Sequence, residues 1–190
     1  LLANIFEKVP SKIEVGISTA ALDRWIEDEL SKNQLVSQSK GYKGYRHVSC
    51  ISVNNVVVHG VPSESVILQE GDLVKVDVCA AWQGYCADMA RCFFVGDKAD
   101  EKAQHLVAIA YQALDKGIAQ AVEGNRLYDI SAAIQQHTEK FGYGVVRDFA
   151  GHGIGRNMHE NPDVPNYGTA GTGMRLKAGM TFAIEPMITQ

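Results

Sequence analysis

Two aspartates, Asp77 and Asp88, stand on either side of a short hydrophilic turn inside the otherwise apolar ribbon LVKVDVCAAWQGYCADMA. Apolar residues alternate at Val74, Val76 and Val78, the period of a half-buried strand. A reversal about Trp82-Gln83 predicts an antiparallel hairpin with the pairs 81/84, 79/86 and 77/88, so that the two carboxylates are directly opposed. Like charges directly opposite one another destabilise a sheet, and a carboxylate taken out of water without a partner costs more still. The arrangement makes sense with a cation between them, and a metal ion is the expected cation.

His152, in GHGIGR, and Glu185, between TFAI and Pro186, are the other expected ligands. Carboxylates with one or two imidazoles suit Mn, Fe, Co or Zn in a catalytic site better than the cysteine-rich cage of structural zinc. Asp77, Asp88 and Glu185 can chelate or bridge, which supplies negative charge enough for two divalent ions. His59, between VVV and Gly60, and His159, before Glu160, could act as neutral donors to a peptide carbonyl or amide. Each of these residues also has a plainer reading: an aspartate at a strand edge or bulge, a histidine in a loop, a core or a cap. His47, His105 and His137 are assigned to that plainer class. Gly151, Gly153 and Gly155 lack the GxGxxG order of a phosphate loop and are read as permitting close backbone approach beside His152.

The elements that must position these groups can be read from periodicity. Leu1 to Val9 begins in mid-helix without a start signal, so the natural N-terminus is expected to lie further upstream. Ala21, Leu22, Trp25, Ile26 and Leu30 mark a helix with Thr19 as its cap. Cys50 to Val58 reads as strand broken by an Asn54-Asn55 turn, and Cys92 to Val95 continues the strand after the aspartate hairpin. A helix is predicted over 98–116 with Ala103, Leu106, Val107, Ala110 and Leu114 inward. A second helix carries Leu127, Ile130, Ala133, Ile134 and His137 and ends at Gly142 to Gly144.

The bulk numbers narrow the function. A chain of 190 residues, 46% of them hydrophobic, holds one sizeable core and is read as one domain. With 18 basic against 22 acidic residues, no general electrostatic case exists for nucleic acid as a substrate. Cys50, Cys79, Cys86 and Cys92 lack CxxC spacing and read as reduced thiols. No apolar run approaches the roughly 20 residues of a membrane span, and LLANIF lacks the flanks of a secretory signal. A soluble, cytoplasmic protein with no membrane association is expected.

With these residues in place, the chain resembles the type I methionine aminopeptidases, a branch of the pita-bread group of two-metal peptidases that also includes proline-directed aminopeptidases and creatinase. The likeness rests on SCISVNNVVVHGVP, GDLVKVDV, GYCADMAR, AGHGIGRNMHE and KAGMTFAIEPM, in the family's order and approximate spacing. It implies an α+β pita-bread fold, an antiparallel curved sheet with helices packed on its outer face, spanning 1–190 as a single metallopeptidase catalytic domain. It implies two divalent metal ions (Co, Mn, Fe or Zn) on Asp77, Asp88, His152 and Glu185, with catalytic roles for His59, His159 and Glu185. The family's fifth ligand, a bridging glutamate, belongs to a later strand, so the domain is expected to be incomplete at its C-terminus, which leaves the activity of these 190 residues by themselves open. The methionine pocket resembles Tyr42, Tyr45, Cys50 and Met158, with Ser39 standing where a cysteine is common. Met89 stands where relatives often carry a small hydroxyl residue that would hydrogen-bond near the metal. The implied substrates are N-terminal methionine peptides and nascent chains, met by a monomer in transient contact with the ribosome. The alternatives are another pita-bread peptidase, such as a proline-directed aminopeptidase, or a catalytically inactive binding relative.

Overall fold

The computed structural model describes residues 1–190 and divides into two compact units, Leu1–Asp100 with Arg156–Met158, and Glu101–Gly155 with His159–Gln190. In the first, a short helix α1 (Leu2–Phe6) and a 3-10 turn (Val9–Lys12) lead to helix α2 (Thr19–Lys32). The cap of α2 is Ser18 rather than Thr19: the Ser18 hydroxyl accepts from the Ala21 amide at 3.0 Å. Thr19 is instead buried, donating its hydroxyl to the Ser63 carbonyl and accepting from the Ser63 amide.

Strands β1 (Val36–Ser37), β2 (Cys50–Val53), β3 (Leu73–Trp82) and β4 (Tyr85–Phe94) follow, all antiparallel, with β3 paired to the other three. The period-2 reading of β3 holds. Val74, Val76 and Val78 are buried against Leu22, Ile26 and Leu30 of α2 and Leu2, Ile5 and Phe6 of α1. The expected strand over Cys50 to Val58 stops at Val53, because Asn54 turns the backbone to φ 50° and Val56 and Val57 are exposed beyond it.

The second unit contains α3 (Glu101–Ile118), α4 (Leu127–Lys140), a two-stranded pair of β5 (Gly144–Val145) with β9 (Ile188–Thr189), and a three-stranded antiparallel sheet. That sheet has the order β7-β6-β8, from β6 (Ala150–Gly153), β7 (Glu160–Pro165) and β8 (Phe182–Ala183). Both helices fall close to where periodicity predicts them. The deepest stripe of α3 is Ile109, Ala113 and Gly117, one notch from the expected one, because a Cβ at Gly117 would come within 2.9 Å of the Ile134 side chain. The small residue lets α3 and α4 close around Ile130 and Ile134.

Candidate metal centre

The aspartates arrive on β3 and β4, whose connection is the two-residue turn Gln83-Gly84 with φ 51° and 78°. Positive φ at both central residues is the type I′ geometry that matches strand twist, and it favours glycine at the second position. That choice moves the turn one residue beyond the predicted reversal. The register pairs Trp82 with Tyr85, Cys79 with Asp88 and Asp77 with Ala90, so Asp77 and Asp88 are diagonal neighbours rather than directly opposed. The expected 77/88 pairing is therefore corrected, although the shift is by two residues and keeps both carboxylates on one face.

The thiols around them stay protonated. Cys79, buried and opposite Asp88, has its thiol pushed far up by burial and then by the neighbouring Asp88 charge. Cys50, opposite Asp77, is also raised, by burial first and with a smaller contribution from the Asp77 charge, while the nearby Tyr45 hydroxyl opposes the rise. Beside these protonated thiols the hard donors of this corner are the side-chain oxygens of Asp77 and Asp88.

The expected pocket residues lie in the same unit. Tyr45 donates its hydroxyl to the Ser49 carbonyl at 2.8 Å just ahead of Cys50, Tyr42 is exposed on a one-turn 3-10 segment, and Met158 is half-buried. At the hairpin tip the Arg156 guanidinium lies 4.3 Å over the Tyr85 ring and the Cys86 thiol donates to the Arg156 carbonyl. His59 is exposed at φ 59°, a conformation uncommon for a side-chain-bearing residue and concentrated at functional positions. It is fixed there by its neighbour: the Ile51 amide donates to the Gly60 carbonyl at 2.8 Å, and the Gly60 amide donates to Ser52 Oγ at 2.9 Å. A Cβ at Gly60 would come within 2.3 Å of the Ile51 carbonyl oxygen, so only glycine allows this approach.

The second unit brings together His152, His159 and Glu185. His152 is 6% exposed on β6, beside a register shift between His152 and Gly153. The glycines on either side act as expected: a Cβ at Gly151 would come within 2.2 Å of the Ala183 carbonyl oxygen, and one at Gly153 within 2.4 Å of the Asn161 carbonyl oxygen. His152 Nδ1 donates to the Gly153 carbonyl at 2.8 Å, which fixes the ring orientation and turns Nε2 toward Glu185. Nε2 stands 3.2 Å from Glu185 Oε1, and the His159 ring packs edge-on at 4.4 Å between centroids.

Glu185 Oε1 is buried and receives no hydrogen bond, although it stands only 3.2 Å from His152 Nε2. Two donors bound side by side on one ion, each about 2.1 Å away, stand about 3 Å apart. The orphaned oxygen and its spacing from Nε2 fit a shared divalent cation. No group of three or more carboxylate, imidazole or thiolate side chains converges to cage an ion by itself, and the four expected ligands stand as two pairs, one on each unit.

Two buried polar residues escaped the sequence reading. Asp23, inside the apolar stripe of α2, accepts from His47 Nδ1 (2.9 Å), the amides of Val48 and Ser49, and the Ser49 hydroxyl (2.7 Å), so it fixes the segment leading into Cys50. The signal was an acidic residue adjoining Leu22 on a buried face. Asn166 donates through Nδ2 to the Glu185 carbonyl at 2.8 Å. An asparagine just after a strand reads as a turn residue, so its sequence context concealed it. The plain reading of the other histidines agrees with the contacts: His47 meets Asp23, His105 meets the Tyr143 hydroxyl and His137 meets Gln112.

Residues 1–190 match the sequence profile of metallopeptidase family M24. The methionine aminopeptidase of Clostridium acetobutylicum is 47% identical over 97% of this chain and 72% of that protein's length. The crystal structure of methionine aminopeptidase from Thermotoga maritima superposes with a TM-score of 0.94 at 41% identity, covering 98% of this chain and 75% of that one. The methionine aminopeptidase of Rickettsia prowazekii superposes with a TM-score of 0.94 at 38% identity, covering 98% of this chain and 74% of that one.

Proposed function

The chain belongs to metallopeptidase family M24, with its pita-bread α+β fold, and from that premise we infer that it is a metal-dependent aminopeptidase removing the N-terminal methionine from peptides and nascent proteins. The observation that carries the metal half is the buried, orphaned Glu185 Oε1 facing His152 Nε2. Kinship to proteins named methionine aminopeptidase supports the substrate half.

Asp77, Asp88, His152 and Glu185 would hold the cation, and three carboxylates among them suit two divalent ions drawn from Mn, Fe, Co or Zn. Such ions, when bound, supply an acidified water at neutral pH and polarise a carbonyl oxygen. Around them, His159 donates to the carbonyl oxygen of the scissile bond as it gains negative charge, and His59 steadies the peptide amide. Glu185 accepts a proton as water attacks the carbonyl carbon and returns it to the leaving amine as the C–N bond breaks. His152 keeps its Nδ1 proton on the Gly153 carbonyl throughout, so its other nitrogen remains a donor of electrons.

Tyr42, Tyr45, Cys50 and Met158 take the methionine side chain. Their soft and aromatic surfaces suit a flexible thioether. No helix is long and apolar enough to cross a membrane. A monomer in the cytoplasm that meets nascent chains in transient contact with the ribosome completes this reading.

The test is peptide cleavage by the full-length protein after chelation and readdition of Mn2+, with Met-Ala-Ser and Ala-Pro-Ser as substrates. Metal-dependent release of methionine from the first alone is expected. Cleavage confined to the second reassigns the chain to a proline-directed peptidase. Absence of both cleavage and metal uptake makes it a binding relative.

A further inference from the structure

We propose that Asn166 is a positioning residue for Glu185, an inference that rests on reading Glu185 as a metal ligand. Glu185 lies where the strand ladder lapses. β8 ends at Ala183 and β9 begins at Ile188. The next residue, Pro186, has no amide hydrogen to contribute to a ladder. The backbone here must therefore be held by something other than regular pairing.

Asn166 fills that role. It directly follows β7, whose last residue Pro165 pairs with Ala150 at one end of β6, while β8 pairs with the opposite edge of β6 through His152 and Ala183. β7 and β8 therefore run parallel to each other on the two sides of β6, and both Asn166 and Glu185 emerge at the same end of the sheet. Gly151 keeps this end narrow, since a Cβ there would come within 2.2 Å of the Ala183 carbonyl oxygen and 3.3 Å of the Glu185 amide nitrogen. Across that gap Asn166 Nδ2 donates to the Glu185 carbonyl at 2.8 Å.

The Asn166 side chain is fully buried, at 0% exposure, and its Oδ1 has no partner. A buried amide with one unsatisfied end forfeits part of its stabilisation, and its one bond is spent on the Glu185 carbonyl, which an apolar residue would leave without this donor. What the amide adds is a restrained carbonyl at Glu185, and with it a restrained backbone from which the carboxylate reaches His152 Nε2 at 3.2 Å. Groups that orient metal ligands in this way typically change affinity 10- to 100-fold when removed.

The experiment is a Co2+ titration of the metal-stripped full-length protein, read by visible absorption bands and by calorimetry. It compares the unsubstituted protein with Asn166→Leu, Asn166→Asp, Glu185→Gln, the double variant Asn166→Leu/Glu185→Gln, and Ser131→Ala as a buried control elsewhere in the same unit. Asn166→Leu should bind Co2+ about 10- to 100-fold more weakly with an altered band shape. In the Glu185→Gln background the same substitution should have little further effect, and Ser131→Ala should bind as the unsubstituted protein does. Should Asn166→Leu fail to fold, Asn166→Asp, which keeps the shape and loses the donor, carries the same expectation.

Weakening by Glu185→Gln with unchanged affinity in the folded Asn166 variant overturns the positioning role. Equal and additive losses in both backgrounds overturn it too, because they assign Asn166 to general stability. Unchanged affinity in Glu185→Gln overturns the ligand reading itself, and the inference falls with it.

Discussion

Asp77 and Asp88 ride on two ten-residue strands in unbroken register, whereas His152 sits on a four-residue strand beside a register shift and Glu185 lies just past a two-residue one. The first pair is held by many equivalent backbone bonds and a valine face pressed on α1 and α2. The second is held by a few particular contacts: the Gly151 and Gly153 close approaches, the Gly153 carbonyl on His152, and the Asn166 amide on Glu185. A long hairpin places ligands by repetition and can absorb a local error. A short irregular sheet places them by single atoms, and each such atom matters more.

Removing a ligand from the robust side gives the largest effect. Asp88→Ala in the full-length protein should lower methionine release by about a thousandfold or more, since metal assistance supplies several kcal/mol of transition-state stabilisation. Metal content measured alongside should fall while the circular dichroism spectrum holds. Loss of the hairpin fold instead would show that the carboxylate is structural. On the irregular side, His159→Gln should reduce kcat about 100- to 1,000-fold with metal content unchanged, as expected for loss of a donor to the developing oxyanion. A rise in KM alone would reassign His159 to binding.

Stability probes the two scaffolds directly. Gly151→Ala drives a Cβ against the Ala183 carbonyl oxygen and should cost about 1–3 kcal/mol in denaturant unfolding. An unchanged midpoint would show that the three-stranded sheet yields more easily than its geometry suggests.

Acid unfolding probes one ion-paired carboxylate of the first unit. Lys32 and then Lys8 hold the Glu29 carboxyl down to about 2, at hydrogen-bond distances of 2.8 and 2.7 Å. A depressed carboxyl contributes stability that is present above its ordinary pKa of 4.5 and is lost as pH falls toward about 2. Glu29→Gln should therefore flatten the loss of stability across that window when unfolding is followed by circular dichroism, and an unaltered acid limb would dismiss the pair. The smallest change belongs to the hairpin turn. Gln83 occupies φ 51°, which asparagine tolerates better, so Gln83→Asn should raise stability by a few tenths of a kcal/mol up to about 1. A larger shift would mean that the turn, rather than the repeated ladder, sets the hairpin.

The sequence by itself determined much of the regular framework. Alternation at Val74, Val76 and Val78 and the helical repeats around Ile26 and Ile130 are periodic signals, and periodic burial has one geometric solution on each element. Asp77 and Asp88 were legible as a pair because they interrupt such a pattern on one hairpin, and a register error of two residues leaves them on the same face. The same logic failed for the cap of α2, where Ser18 and Thr19 are chemically alike and only the Ala21 amide distinguishes them. Asp23 and Asn166 were invisible as site supports for a different reason. Their partners, the 47–49 segment and the Glu185 carbonyl, are distant in sequence, and no local preference encodes a hydrogen bond to a remote backbone atom. Only the folded chain could decide that Glu185 Oε1 faces His152 Nε2 with nothing to satisfy it, because burial is a property of everything packed around an atom and not of the residue that carries it.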